Sequence, residues 1–88
     1  MSTTPSGSIS PGPDGRYVVE ARHPSFVARA LHPMARVGAT PVMVLSCRNG
    51  TFRGVVLGTP RPGDELVVRY PPEPELPTGV RVPAPNVA

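Results

Sequence analysis

The sequence predicts a mainly β fold: a small antiparallel meander or partly open barrel of four or five strands, with room for one short helix. Two local patterns carry that expectation. A pair of β-favouring runs flanks Asn49-Gly50, and Pro62-Gly63 introduces a third run. Composition sets the scale. The chain has 88 residues, enough for one domain at most. Its 14 Pro and 9 Gly make 23 breakers, yet 39% of the residues are hydrophobic. Low-complexity chains carry about 25–30% Pro and Gly, but a wholly disordered chain holds fewer apolar residues than this one. Breakers and apolar residues must therefore occupy different segments.

Residues 1–15 form a disordered N-terminal arm on this reading. They hold one Ile, no aromatic residue and mostly Ser, Thr, Pro and Gly. Such a stretch cannot offset the roughly 1–2 kcal/mol per residue that ordering a backbone costs. The small β domain is then 16–70, and 71–88 is a Pro-rich extended C-terminal arm. A domain of about 60 residues buries only about 60% of its unfolded surface and is marginal alone.

The first strand of the domain is 17–22, which places Tyr17, Val19 and Ala21 on one side. Residues 25–32 admit two readings. In a helix, Ser25 caps the start, and Phe26 meets Ala30 and Val27 meets Leu31 at i,i+4. In a strand, Val27, Arg29 and Leu31 oppose Phe26, Ala28 and Ala30. The helix is slightly preferred, because it supplies a cover that the central hairpin lacks.

That hairpin joins 42–48 to 51–57 through Asn49-Gly50. A type I′ turn needs φ > 0 at both central residues, which Asn tolerates and Gly accepts freely. An uninterrupted register then sets Arg48 against Thr51, Cys47 against Phe52, Leu45 against Gly54, Met43 against Val56 and Val42 against Leu57. One face carries Cys47, Leu45, Met43, Phe52 and Val56, and the other carries Val42, Val44, Val55 and Leu57. Both faces are apolar near the base, whereas a half-exposed sheet should be apolar on one. Pro62-Gly63 fits a type II turn leading into a strand at 65–70, and 80–82 could add a short edge strand before Pro83.

All nine basic residues are Arg, against six acids, for a net charge of +3. Between Glu20 and Asp64 there is no acid, and that interval holds Arg22, Arg29, Arg36, Arg48, Arg53 and Arg61. These six are the candidate binding residues, since a guanidinium fork suits phosphate and carboxylate. On the hairpin register Arg48 and Arg53 share a face near the tip. The bland alternative is a solubilising surface written in Arg rather than Lys.

Catalytic chemistry finds little footing. His23 and His32, nine apart, match no zinc spacing, and no metal or cofactor is expected. Cys47 is the only cysteine, so no internal disulfide exists, and its place opposite Phe52 suits a small core residue. Asp64-Glu65 suits a turn that opens a strand, and no Gly-rich loop precedes a helix. The overlapping PxxP patterns of 71–77 favour a spacer or packing arm. Neither a leader pattern nor an apolar run near the ~20 residues of a membrane helix is evident, so a cytoplasmic location and no membrane partner are expected.

The functional expectation is a non-enzymatic interaction module, an adaptor or assembly subunit that completes its core against a protein partner or itself as a homo-oligomer. No small-molecule substrate is evident. Two alternatives stand beside it: an arginine-driven nucleic-acid (polyanion) binding protein, and a structural coat or decoration subunit of a particle.

Overall fold

Asn49 and Gly50 both take positive φ, 54° and 78°, as the two-residue turn requires. Strands run away from them on either side. The computed structural model describes residues 5–29 and 31–83. Within them lie seven strands: β1 (Ser6–Pro11), β2 (Tyr17–Arg22), β3 (Met34–Val37), β4 (Thr40–Arg48), β5 (Thr51–Val56), β6 (Glu65–Arg69) and β7 (Leu76–Arg81). All pairings are antiparallel, in the lateral order β1-β2-β5-β4-β3-β6-β7. The edge strands β1 and β7 come side by side without sharing a ladder, so the sheet curls into a nearly closed barrel.

The fold class is therefore all β, with more strands than the four or five expected. Two strands lie in segments read as arms, β1 in 1–15 and β7 in 71–88, the latter overlapping the edge strand expected at 80–82 and extending it back to Leu76. β1 pairs along β2 and buries Ile9 beside Val19, closed by a turn in which Gly12 N–H donates to the Arg16 carbonyl at 2.6 Å. β7 buries Thr78 and Val80. The Thr78 hydroxyl donates to the Leu66 carbonyl at 2.6 Å and accepts from Val80 N–H at 3.1 Å, so the hydroxyl enters the core with its polar atom satisfied. β3, which joins β4 through Gly38 at φ 58°, was not expected either. The Pro62-Gly63 turn forms as expected, with Gly63 at φ 88° and Asp64 N–H donating to the Arg61 carbonyl at 3.0 Å.

The helix reading of 25–32 is corrected: no helix occurs among the described residues. The reason is local. A helix would direct the Phe26 carbonyl to the N–H four residues on, but it accepts from Gly50 N–H at 2.8 Å instead. The Ser25 hydroxyl, the expected cap, is bonded to His23 Nδ1 at 2.6 Å. His23 N–H in turn donates to the Gly50 carbonyl at 2.9 Å. The connector is thus stitched to the hairpin tip from both sides, and Phe26 drops into the core 5.8 Å from the Phe52 ring.

The hairpin register is corrected as well. Arg48–Thr51, Cys47–Phe52 and Ser46–Arg53 pair as expected, but a bulge between Val44 and Ser46 shifts the rest, setting Val44 against Gly54, Met43 against Val55 and Val42 against Val56. One extra residue reverses the facing of everything beyond it. Val42 joins Cys47, Phe52 and Val56 inside, while Met43 and Leu45 turn outward. Gly54 makes room for this: a Cβ there would lie 2.6 Å from Val42 Cγ1 and 2.9 Å from the Met43 carbonyl oxygen.

Phe26 is fully buried although it sits in irregular chain, so its truncation tests how firmly the connector is docked. Phe26→Ala is expected to cost about 3–5 kcal/mol in urea unfolding. A cost below about 1 kcal/mol would mean that the ring is dispensable to the core.

Candidate interaction surface

The register of β1, β2, β5 and β4 assembles their outward side chains into rows. Ser6, Arg22, Thr51 and Arg48 form the row nearest the hairpin tip, and Ser8, Glu20, Arg53 and Ser46 form the next. The third row is Ser10, Val18, Val55 and Met43. Three apolar residues from three adjacent strands thus stand side by side on the outer face. Val18 is 39% exposed and Met43 45%, and Leu57 continues the apolar surface at 57%. Apolar residues scattered singly on a surface are ordinary, whereas a contiguous row across strands is not.

Of the six candidate arginines, the fold brings Arg22, Arg48 and Arg53 onto this face. Glu20 sits among them, 3.2 Å from Arg53 and 3.8 Å from Arg22. Arg48 makes no ion pair among the described residues. The others lie elsewhere. Arg29 stacks 4.0 Å over the Tyr70 ring and pairs with Glu73 at 2.9 Å. Arg36 grips Glu75 with two bonds of 3.0 and 3.2 Å, and these hold the Glu75 carboxyl below the usual carboxylate range. Arg61 belongs to the turn before β6, its N–H donating to Asp64 Oδ2 at 2.9 Å. The interval without acids is therefore compensated in space by Glu20, Glu73 and Glu75. Sequence reasoning missed this, because Glu73 and Glu75 lie about forty positions from the arginines they meet.

The apolar row was missed too, since the bulge that turns Met43 outward leaves only a weak sign in the sequence, the glycine at 54.

A second feature lies on the other flank of β4. A cleft of about 270 Å³ separates it from the connector, bordered by Val27, Arg29, Leu31, His32, Leu45 and Arg48. No acidic residue borders it. At its floor Cys47 Sγ lies 2.6 Å from the Tyr70 hydroxyl, which itself donates to the Val27 carbonyl at 3.1 Å. Burial pushes the Cys47 thiol up from its ordinary value, partly opposed by the Tyr70 bond and Arg29. Burial also raises the Tyr70 phenol. Cys47 is thus a buried thiol whose surroundings disfavour the thiolate. His23 packs edge-on against Phe26 at 5.9 Å. Among the described residues no cluster of three His, Cys, Asp or Glu could hold a metal ion, and no helix is long and apolar enough to cross a membrane.

Comparison with known proteins brings no further identification: no family model, no curated protein and no solved structure matches this chain.

The state of Cys47 can be read directly. Iodoacetamide should alkylate the native protein at least about tenfold more slowly than the urea-unfolded protein at the same pH. Equal rates would contradict the buried assignment.

Proposed function

We propose that the chain is a non-enzymatic interaction module or assembly subunit, and that the outer face of β1, β2, β5 and β4 is where a second copy docks. The observation that carries this reading is the row Val18–Val55–Met43, extended by Leu57. The core itself is filled by residues of this chain, from Ile9 to Val82. The partner is therefore needed not to complete the core but to cover an apolar strip outside it.

The arrangement of charge favours self-association over a polyanion. Turned about a two-fold axis through Val55, the face lays its apolar row on the same row of the second copy. The Arg22, Arg48 and Arg53 end then points away from its counterpart, so like charges stay apart. A polyanion would meet Glu20 in the middle of the arginines. It would also find little aromatic surface for stacking, since Phe26 and Phe52 lie in the core, Tyr17 is half-buried against it and Tyr70 lies beneath Arg29.

Size predicts strength. Four strands at about 4.8 Å spacing and some 20 Å of length present roughly 400 Å² per copy. A standard interface buries about 800 Å² per partner. Association should thus be weak and dependent on concentration. An adaptor and a coat or decoration subunit would use such a face in the same way. A reducing, cytoplasmic setting suits the Cys47 thiol.

Sedimentation equilibrium from micromolar to millimolar protein, at low and high salt with absorbance followed at 260 nm, tests the reading. The expected result is a mass that rises toward a dimer at both salts. Met43→Asp should raise the dissociation constant about tenfold or more with the thermal midpoint little changed. A monomer throughout, or a dimer indifferent to Met43→Asp, overturns it. Material absorbing at 260 nm that leaves as salt rises would replace it with the polyanion reading.

A further inference from the structure

β4 is nine residues long, but β3 pairs with it only at Thr40 and Pro41 before turning to β6. On that flank, 42–48 pairs with no strand among the described residues. No described backbone hydrogen bond crosses from 27–33 to β4 either: the connector's bonds to the hairpin go to Gly50. The cleft of about 270 Å³ occupies the gap.

The ladder alternates in a way that arms this flank. A two-residue hairpin closes on a hydrogen-bonded pair, here Arg48–Thr51, so the next pair, Cys47–Phe52, is a non-hydrogen-bonded one. The main-chain N–H and C=O of Cys47 therefore turn away from β5 and toward the cleft. A strand edge with free donors and acceptors beside an open groove is the arrangement into which an extended peptide adds a strand.

We infer that the open flank of β4 binds an extended acidic segment of a partner protein by strand addition. The inference rests on reading the chain as an interaction module, but it uses a different surface from the apolar row. Charge selects the occupant. Arg48 borders the cleft and makes no ion pair among the described residues, Arg29 borders it while paired with Glu73, and no acid lies among its lining residues. The same cleft is lined by the apolar side chains of Leu31, 81% exposed, and Leu45, 56% exposed. A strand presents successive side chains to opposite sides. A segment that alternates acidic and apolar residues would therefore set carboxylates on the side of Arg48 and apolar groups on the other side, within the cleft. A second copy of this chain meets that description poorly, because the acids of its strands stand singly, Glu20 in β2 and Glu65 in β6, and each pairs with arginines of its own chain.

The test is an NMR titration of the full chain with a six-residue blocked peptide of alternating glutamate and valine. Three controls accompany it: the same peptide N-methylated at its central residues, its lysine-for-glutamate counterpart, and a short single-stranded oligonucleotide. The expected result is that amides of 44–48 shift with the acidic peptide, and that Cys47 N–H gains protection from exchange. N-methylation should abolish binding, because it removes the main-chain donors that a strand must supply. Arg48→Glu should weaken binding roughly tenfold while the spectrum of the free protein stays folded. No shift at 44–48 up to millimolar peptide overturns the inference. So does binding that survives N-methylation, or tighter binding of the lysine peptide or the oligonucleotide at the same amides. The two proposals fail separately. A dimer that Met43→Asp dissociates, together with no peptide binding, removes only this one. A strict monomer that takes the peptide removes only self-association.

Discussion

Between Val44 and Ser46 the β4–β5 ladder takes in one extra residue opposite Gly54, and the side-chain period of two makes the consequence unavoidable. Val42 goes in, while Met43 and Leu45 go out. The same residue bends β4, and bulges of this kind raise the local twist that a sheet needs to curl upon itself. The identity of the inner wall at β4 and the apolar strip outside thus share one cause. Gly54 permits it, because any side chain there would meet Val42 and the Met43 carbonyl. An uninterrupted hairpin would have left Val42 outside and driven Met43 and Leu45 into a core too small for them.

The connector between β2 and β3 depends on the neighbouring turn in a similar way. Gly50 donates to Phe26 and accepts from His23, so a tight turn whose main-chain groups could have faced water instead anchors irregular chain. Phe26 then packs on Phe52, and Tyr70, the residue after β6, donates to the Val27 carbonyl. Arg29 lies over Tyr70 and pairs with Glu73. Being exposed pairs, these charges add little stability. They link the connector to the segment that follows β6.

What could be read from the sequence followed local stereochemistry. Asn49-Gly50 and Pro62-Gly63 form the turns that their φ preferences demand, and Val19 and Ala21 face inward together as alternation requires. Elements whose stability comes from distant partners were legible only in part: the end of β7 was foreseen as an edge strand at 80–82, its start and β1 were not. β1 is mostly Ser, Gly and Pro and holds only because Ile9 finds the core beside Val19. β7 contains Pro77 and Gly79, both poor in strands, and is tolerated because it lies at the sheet edge. The connector looked helical by propensity, but the bonds to Gly50 outweigh preferences worth a few tenths of a kcal/mol per residue. The candidate arginines were divided by contacts across some forty positions, which no local pattern encodes.

The seam between β1 and β7 bears on how the molecule comes into being. One flank of the barrel is written at the start of the chain and the other near its end. During synthesis from the N-terminus, β1 and β2 can zip early as a hairpin, and β4 and β5 can do the same. The sheet stays unrolled, with Ile9 and Val19 poorly shielded, until residues 76–81 have left the ribosome. Non-local topologies of this kind fold slowly and expose sticky surface while they wait. An early edge strand made largely of serine, glycine and proline is well suited to that interval, since it offers nascent neighbours little to adhere to.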